Sequence, residues 1–214
     1  MKKILFFLFV CTLLLTSIVG YCMDMNTKLM GKLIVIDVGH GGKDSGASID
    51  GILEKNLNLI IALKLREELV KNGVDVILTR DGDYDLSSPN IKRRKKSDFD
   101  NRINLINASK ADMYISIHMN YLNESKYYGA QVFYTEGNEI LASSIQNMFI
   151  KNLNSPLKEK KLDKSIYMYK KLEIPGVLIE CGFLSNKKER NKLLNEEYQD
   201  KLVESIVKGI ILYY

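Results

Sequence analysis

Cysteine is scarce in this chain: there are three in 214 residues, and Cys11 and Cys22 lie within and at the edge of an apolar N-terminal run, so Cys181 has no obvious partner. No disulfide framework is implied, and cysteine usage does not name a compartment. Internal repeats, low-complexity stretches and any separate binding module are also missing. One globular domain is therefore the expectation. Neither sign of charge dominates. With 31 Lys and Arg against 26 Asp and Glu, the net charge is +5, and loss of Lys2 and Lys3 with a leader would lower it further. Bulk electrostatics select no partner. The one long apolar run, residues 4–19, is short for a membrane span. Histidine is rarest of the groups that carry chemistry, with only His40 and His118.

What is present suffices for a substantial core, since 46% of the residues are hydrophobic. Met1, Lys2 and Lys3 ahead of the apolar run give the layout of a secretory signal, with small residues for cleavage near Gly20 or Cys22. Residues 1–22 are read as a signal peptide or an uncleaved N-terminal membrane anchor, 23–32 as a linker and 33–214 as the functional domain. Tyr21 stands where a lipoprotein signal needs a small residue, which disfavours lipidation of Cys22. The local charge excess sits in Lys92, Arg93, Arg94, Lys95 and Lys96. Such a run is either a solvated loop or a surface for nucleic acid, anionic lipid or an anionic polymer.

The LIVID run at 33–37 predicts a buried strand that ends in the flexible Gly39-His40-Gly41-Gly42 turn. Leu57, Ile60, Ile61, Leu65 and Leu69 recur at helical spacing until Asn72-Gly73 stops them. DVILT at 75–79 is the next strand. Residues 82–97, with Pro89, paired serines and the basic run, predict a long loop. Ile103, Leu105 and Ile106 predict a helix ending near Ser109, and MYISIH at 113–118 a strand. Residues 132–134 and 167–169 are weaker strand candidates, 139–153 a helix, 177–180 a buried strand, and Leu202, Ile206 and Ile210 a closing helix. This alternation predicts an α/β fold: one domain with a mixed, mostly parallel twisted sheet and helices on both faces.

In such sheets ligands gather beyond the carboxyl ends of the strands. His40 falls just past the first strand, His118 ends another and Glu180 ends a third. Glu54, in the first turn of the helix after the glycine loop, can bring its carboxylate back toward His40. Two imidazoles and a carboxylate make an open catalytic zinc set with a position left for water. Hydrolysis would then need a base, and Glu180 in the apolar VLIECGF context would have its pKa raised toward that task. On spacing alone, a strand-end histidine is as readily structural, and a strand-end glutamate a salt-bridge partner.

The motifs narrow this. IDVGHGGKDSGA (36–47), EKNLNL from Glu54, VILTR (76–80), NRINLIN from Asn101, ISIHMN from Ile115 and ECGFLSN from Glu180 follow one another to near the C-terminus. In this order they resemble the zinc-dependent type 3 N-acetylmuramoyl-L-alanine amidases. The resemblance implies one Zn2+ held by His40, Glu54 and His118, with Glu180 as catalytic base, and places Asn120 near the ligand as a candidate substrate contact. It also implies hydrolysis of the amide between the lactyl group of N-acetylmuramic acid and the L-alanine of the stem peptide. The export segment, the lack of wall-binding repeats and the KRRKK segment most resemble the germination-specific (CwlD-like) branch of spore formers. That branch implies spore-cortex modification leading to muramic-δ-lactam, and an enzyme outside the cytoplasmic membrane, secreted or anchored. Peptidoglycan is the expected partner, with no nucleic acid. An accessory envelope protein that supports zinc binding or activity is a further candidate.

Other chemistries fit less well. A Cys181 thiol hydrolase is opposed by strand alternation, which sends Glu180 and Cys181 to opposite faces. GKDSG lacks the spacing of a nucleophile elbow, and Asp44 follows Lys43 where a P-loop needs Ser or Thr. A zinc peptidase cutting within the stem peptide and a catalytically weak wall-binding or regulatory module remain as alternatives.

Overall fold

The computed structural model describes residues 9–12, 27–163 and 166–214. Its order is β1 (Leu33–Val38), β2 (Ser48–Ile49), β3 (Ile52–Leu53), α1 (Glu54–Lys71), β4 (Asp75–Leu78), α2 (Arg94–Ala108), β5 (Met113–Asn120), β6 (Gln131–Tyr134), α3 (Glu139–Leu153), β7 (Lys160–Lys161), β8 (Gly176–Phe183), α4 (Lys187–Leu193) and α5 (Glu196–Tyr213). Most of the expected export segment lies outside the described residues. Among those described, no helix is long and apolar enough to cross a membrane.

Six strands form one sheet in the order β4-β1-β5-β8-β6-β7. The central strands are parallel and β6 runs antiparallel to β8, so the sheet is mixed but mostly parallel, as expected. Alternation along the strands separates two cores. Ile34, Ile36 and Val38 of β1, Ile115 and Ile117 of β5, and Val177 and Ile179 of β8 face the larger one. There they meet Leu57, Ile61 and Leu65 of α1, Leu141, Ile145 and Phe149 of α3, and Leu202, Ile206 and Ile210 of α5. Each such side chain contributes roughly 1.5–3 kcal/mol by leaving water. Val35, Tyr114 and Leu178 face the smaller core, covered by Ile103 and Ile106 of α2 and by Met168 and Tyr169.

Alternation also places the polar chemistry. Asp37, Ser116 and Glu180 stand two residues after Val35, Tyr114 and Leu178, hence on the smaller-core face near the strands' carboxyl ends. The register aligns Asp37 with Ser116, and His118 with Glu180.

Three local expectations change. Residues 94–97 belong to α2 rather than to a loop, so the basic run crosses the helix start. Residues 167–169 lead into a 3-10 turn, Tyr169–Lys171, instead of a strand. Ile60, which shares the helical spacing of α1, is exposed.

Candidate metal centre

The turn after β1 is shaped by close approach as much as by flexibility. A Cβ on Gly39 would lie 2.4 Å from His118 Cε1, so the His118 ring packs directly on backbone. Gly46 has φ +64°, and a Cβ there would fall 2.5 Å from Glu54 Oε2 and 2.7 Å from His40 Cδ2. Only glycine leaves that space open.

Glu54 opens α1, where the helix dipole favours a carboxylate. Its side chain is buried and tightly held. Oε2 accepts from Ala47 N–H at 2.9 Å, while Oε1 accepts from Met119 N–H at 3.1 Å and from Asn58 Nδ2 at 3.4 Å. The same Oε1 lies 3.1 Å from His40 Nε2 and 3.0 Å from His118 Nδ1. The two rings meet edge to face with centroids 4.9 Å apart. One donor atom from each of His40, Glu54 and His118 falls within 4.8 Å of the others, a grouping able to hold a metal ion. On the far side of His40, Nδ1 is 3.1 Å from Asp44 Oδ2, near enough for charge attraction but off the line of a hydrogen bond. Lys95 Nζ reaches the same carboxylate at 3.7 Å, so the basic run touches the rim of the site.

The electrostatics fit a centre built for positive charge. Burial works to lower the pKa of His40, but the carboxylates of Asp44 and Glu54 outweigh it and raise it to about 9. Burial would raise Glu54, yet the two histidines hold it well below the usual carboxylate range. A divalent cation at such a cluster displaces protons.

Glu180 differs from Glu54. Burial pushes its pKa up to about 7, and His118 and His40 only partly offset that. Its Oε2 has no hydrogen-bond partner among the described residues, a costly state for a buried carboxyl oxygen unless something else meets it. Glu180 lines a cavity of about 200 Å³ together with His40, His118, Asp37 and Arg102. Phe99, Ile166, Met168 and Leu178 supply apolar wall to the same cavity. Cys181 points into the larger core, where burial drives its thiol pKa well above normal.

His40, Glu54 and His118 therefore come together, with Glu180 in the same cavity. Asn120 does not line that cavity; its carbonyl accepts from Leu184 N–H at 2.8 Å, beside the irregularity that pairs Asn120 with Phe183. Sequence reasoning missed the polar support beneath the centre. Asp37 accepts from Arg102 Nη1 at 2.9 Å, Ser116 Oγ at 2.7 Å and Thr79 Oγ1 at 3.1 Å. Applying strand alternation to Asp37 and Ser116 would have shown that they share a face with Glu180.

A mostly parallel α/β sheet thus carries at its strand ends a His-Glu-His set able to hold a metal ion, beside a carboxyl oxygen unmatched among the described residues. The chain belongs to the Amidase_3 family, N-acetylmuramoyl-L-alanine amidase, whose model matches residues 34–211. It is 43% identical over 192 residues to the germination-specific N-acetylmuramoyl-L-alanine amidase of Bacillus subtilis (strain 168), covering 87% of this chain and 81% of that one. Among solved structures, it is similar to the CwlD amidase from Clostridioides difficile in complex with the GerS lipoprotein, with TM-score 0.81, 41% identity and coverage of 86% and 98% of the two chains. The catalytic domain of CwlV from Bacillus (Paenibacillus) polymyxa var. colistinus matches with TM-score 0.74 and 30% identity, over 85% of this chain and 97% of that one.

Proposed function

We propose that this chain is a zinc-dependent amidase that cleaves the bond between the lactyl group of N-acetylmuramic acid and L-alanine in peptidoglycan. The observation that carries the reading is the convergence of His40, Glu54 and His118 within 4.8 Å, beside Glu180 in one cavity. Donor chemistry and space fit one zinc ion: two imidazole nitrogens and a carboxylate, drawn from three separate segments, with glycine where a Cβ would intrude. His40, Glu54 and His118 would hold it. The chemistry a bound zinc ion supplies is polarisation of the scissile carbonyl and stabilisation of negative charge on its oxygen.

This chain's residues do the rest. Glu180 takes a proton from the attacking water and returns it to the departing alanine amine, a task suited to a carboxyl whose pKa burial brings to about 7. Asp44, 3.1 Å behind His40 Nδ1, steadies that ring by charge attraction. The apolar wall limits water around the reacting amide. Asn120 is a contact for substrate outside the cavity. We assign the enzyme to the cell-wall side of the cytoplasmic membrane, exported by residues 1–22, secreted or anchored, and to spore-cortex modification leading to muramic-δ-lactam. Its 43% identity to a germination-specific amidase supports the cortex role. The solved complex of a related amidase with a lipoprotein supports an accessory envelope partner.

The test is to load the purified soluble domain with zinc and follow release of amino groups from purified peptidoglycan. One zinc per chain and steady release are expected, and His118→Ala should lose both. Zinc binding with no release would instead favour a wall-binding module.

A further inference from the structure

We infer that Arg80 and Arg102 are positioning residues for the metal centre, two buried guanidinium groups that grip the backbone after β1 and hold His40 in the conformation that aims its ring at Glu54. The inference rests on the reading that His40 is a metal ligand.

His40 has φ +59°, in the left-handed region that a residue with a Cβ adopts only under constraint. The constraint is visible at its carbonyl. Arg80 Nε donates to His40 O at 2.7 Å and Arg102 Nη2 donates to the same oxygen at 2.6 Å. The grip extends backward along the turn. Arg80 Nε also reaches Val38 O at 3.1 Å and its Nη2 reaches Gly39 O at 2.9 Å, while Arg102 Nη1 donates to Val38 O at 2.5 Å. Three successive carbonyls, at the point where the chain leaves the sheet, are thus fixed by two side chains that are 1% and 2% exposed.

Each guanidinium is anchored elsewhere. Arg80 donates to Lys55 O at 2.8 Å, one residue beyond Glu54, so a single side chain ties the His40 turn to the start of α1. Arg102 donates from Nε to Asp98 at 3.0 Å and from Nη1 to Asp37 at 2.9 Å. Burying two cations side by side is unfavourable, and Asp37 and Asp98 balance them. A planar fork of donors can hold adjacent carbonyls at fixed angles, which a lysine ammonium cannot. This gives the R of VILTR and the R of NRINLIN a task that neither ligand nor base supplies.

The experiment measures zinc affinity of the full folded domain by competition with a chromophoric chelator, alongside melting of the metal-free protein. Arg80→Lys and Arg102→Lys keep the charge and remove the fork. Each is expected to weaken zinc binding about 10–100-fold, the range for partners that orient metal ligands. Arg190→Lys is the control, because Arg190 is also buried but donates to Leu184 O and Asp50, neither of them on the His40 turn nor a candidate ligand. It should lower the melting temperature without lowering affinity. Asp98→Asn leaves both arginines in place and loosens Arg102, giving a milder variant that should fold and still bind zinc more weakly than wild type. Zinc affinity within twofold of wild type in the folded variants would overturn the inference, as would an equal loss in Arg190→Lys. A wild-type protein that binds no zinc would remove the metal reading itself, and this inference with it.

Discussion

Two glutamates at the candidate centre, Glu54 buried and Glu180 half-buried, differ sharply in their surroundings. Glu54 is met by two backbone N–H groups and two imidazoles and is held ionised, whereas Glu180 has an oxygen unmatched among the described residues and a pKa raised to about 7. Glu180→Gln should therefore fold and bind zinc like wild type but hydrolyse about 10²–10⁴-fold more slowly, the usual contribution of a general base. Turnover near wild type would remove Glu180 from the reaction. Asp37 gives a prediction about stability. Burial would raise its pKa, but Arg102 and Ser116 overcome that and hold it below the usual value. A carboxylate with a depressed folded pKa contributes stability above its unfolded pKa and loses that contribution as pH falls through the folded value. Asp37→Asn should cost about 3–5 kcal/mol near neutral pH, as for other broken buried pairs. In urea titrations the gap from wild type should stay constant from pH 8 to about 5 and narrow below about pH 4. A gap unchanged at pH 3 would contradict the assignment. At this scale the sequence was legible where a residue's location came from its place at or just past a strand end, as for His40, His118 and Glu180. Asp37 and Arg102 stayed hidden because their contact spans 65 positions and depends on how α2 lies on the sheet.

Helices and strands were readable where periodicity was strong. α1 ends at Asn72-Gly73 and α3 spans Glu139–Leu153, as the apolar spacing predicts. The start of α2 departs from its sequence pattern for a physical reason: a basic run opposes the positive end of the helix dipole, so Arg94, Lys95 and Lys96 look like loop. Arg94 pairs with Asp85 at 2.5 Å and Lys96 with Asp100 at 2.5 Å, which offsets the conflict. The β2–β3 hairpin escaped notice because its strands have only two residues each, although Asp50-Gly51 supplies the turn. How closely elements pack is carried by glycines. Gly39→Ala should push the His118 ring off the backbone and abolish zinc binding while the far-ultraviolet spectrum stays native; retained stoichiometric zinc would show that the ring has other room. Gly209 of α5 faces α3, where an added Cβ would lie 2.5 Å from Ile145 Cα. Gly209→Ala should separate the two helices and cost about 1–3 kcal/mol, read from the denaturation midpoint. An unchanged midpoint would mean that α5 can shift freely.

As a whole, the molecule puts its larger core on one face of the sheet and its polar chemistry at the strand ends on the other. The ordered motifs conveyed this arrangement, because all but NRINLIN, which lies within α2, mark a strand end or a helix start that the fold brings to one place. They did not convey the scaffold of arginines beneath His40, since those contacts run to backbone carbonyls and leave no pattern in spacing. The central claim concerns which bond is cut. The most direct measurement is mass spectrometry of the products after zinc-loaded protein digests purified peptidoglycan. The account predicts stem peptides with free L-alanine amino termini and glycan strands whose muramic acids carry bare lactyl groups; cleavage only within the stem peptide, with L-alanine still attached to the lactyl group, would contradict it.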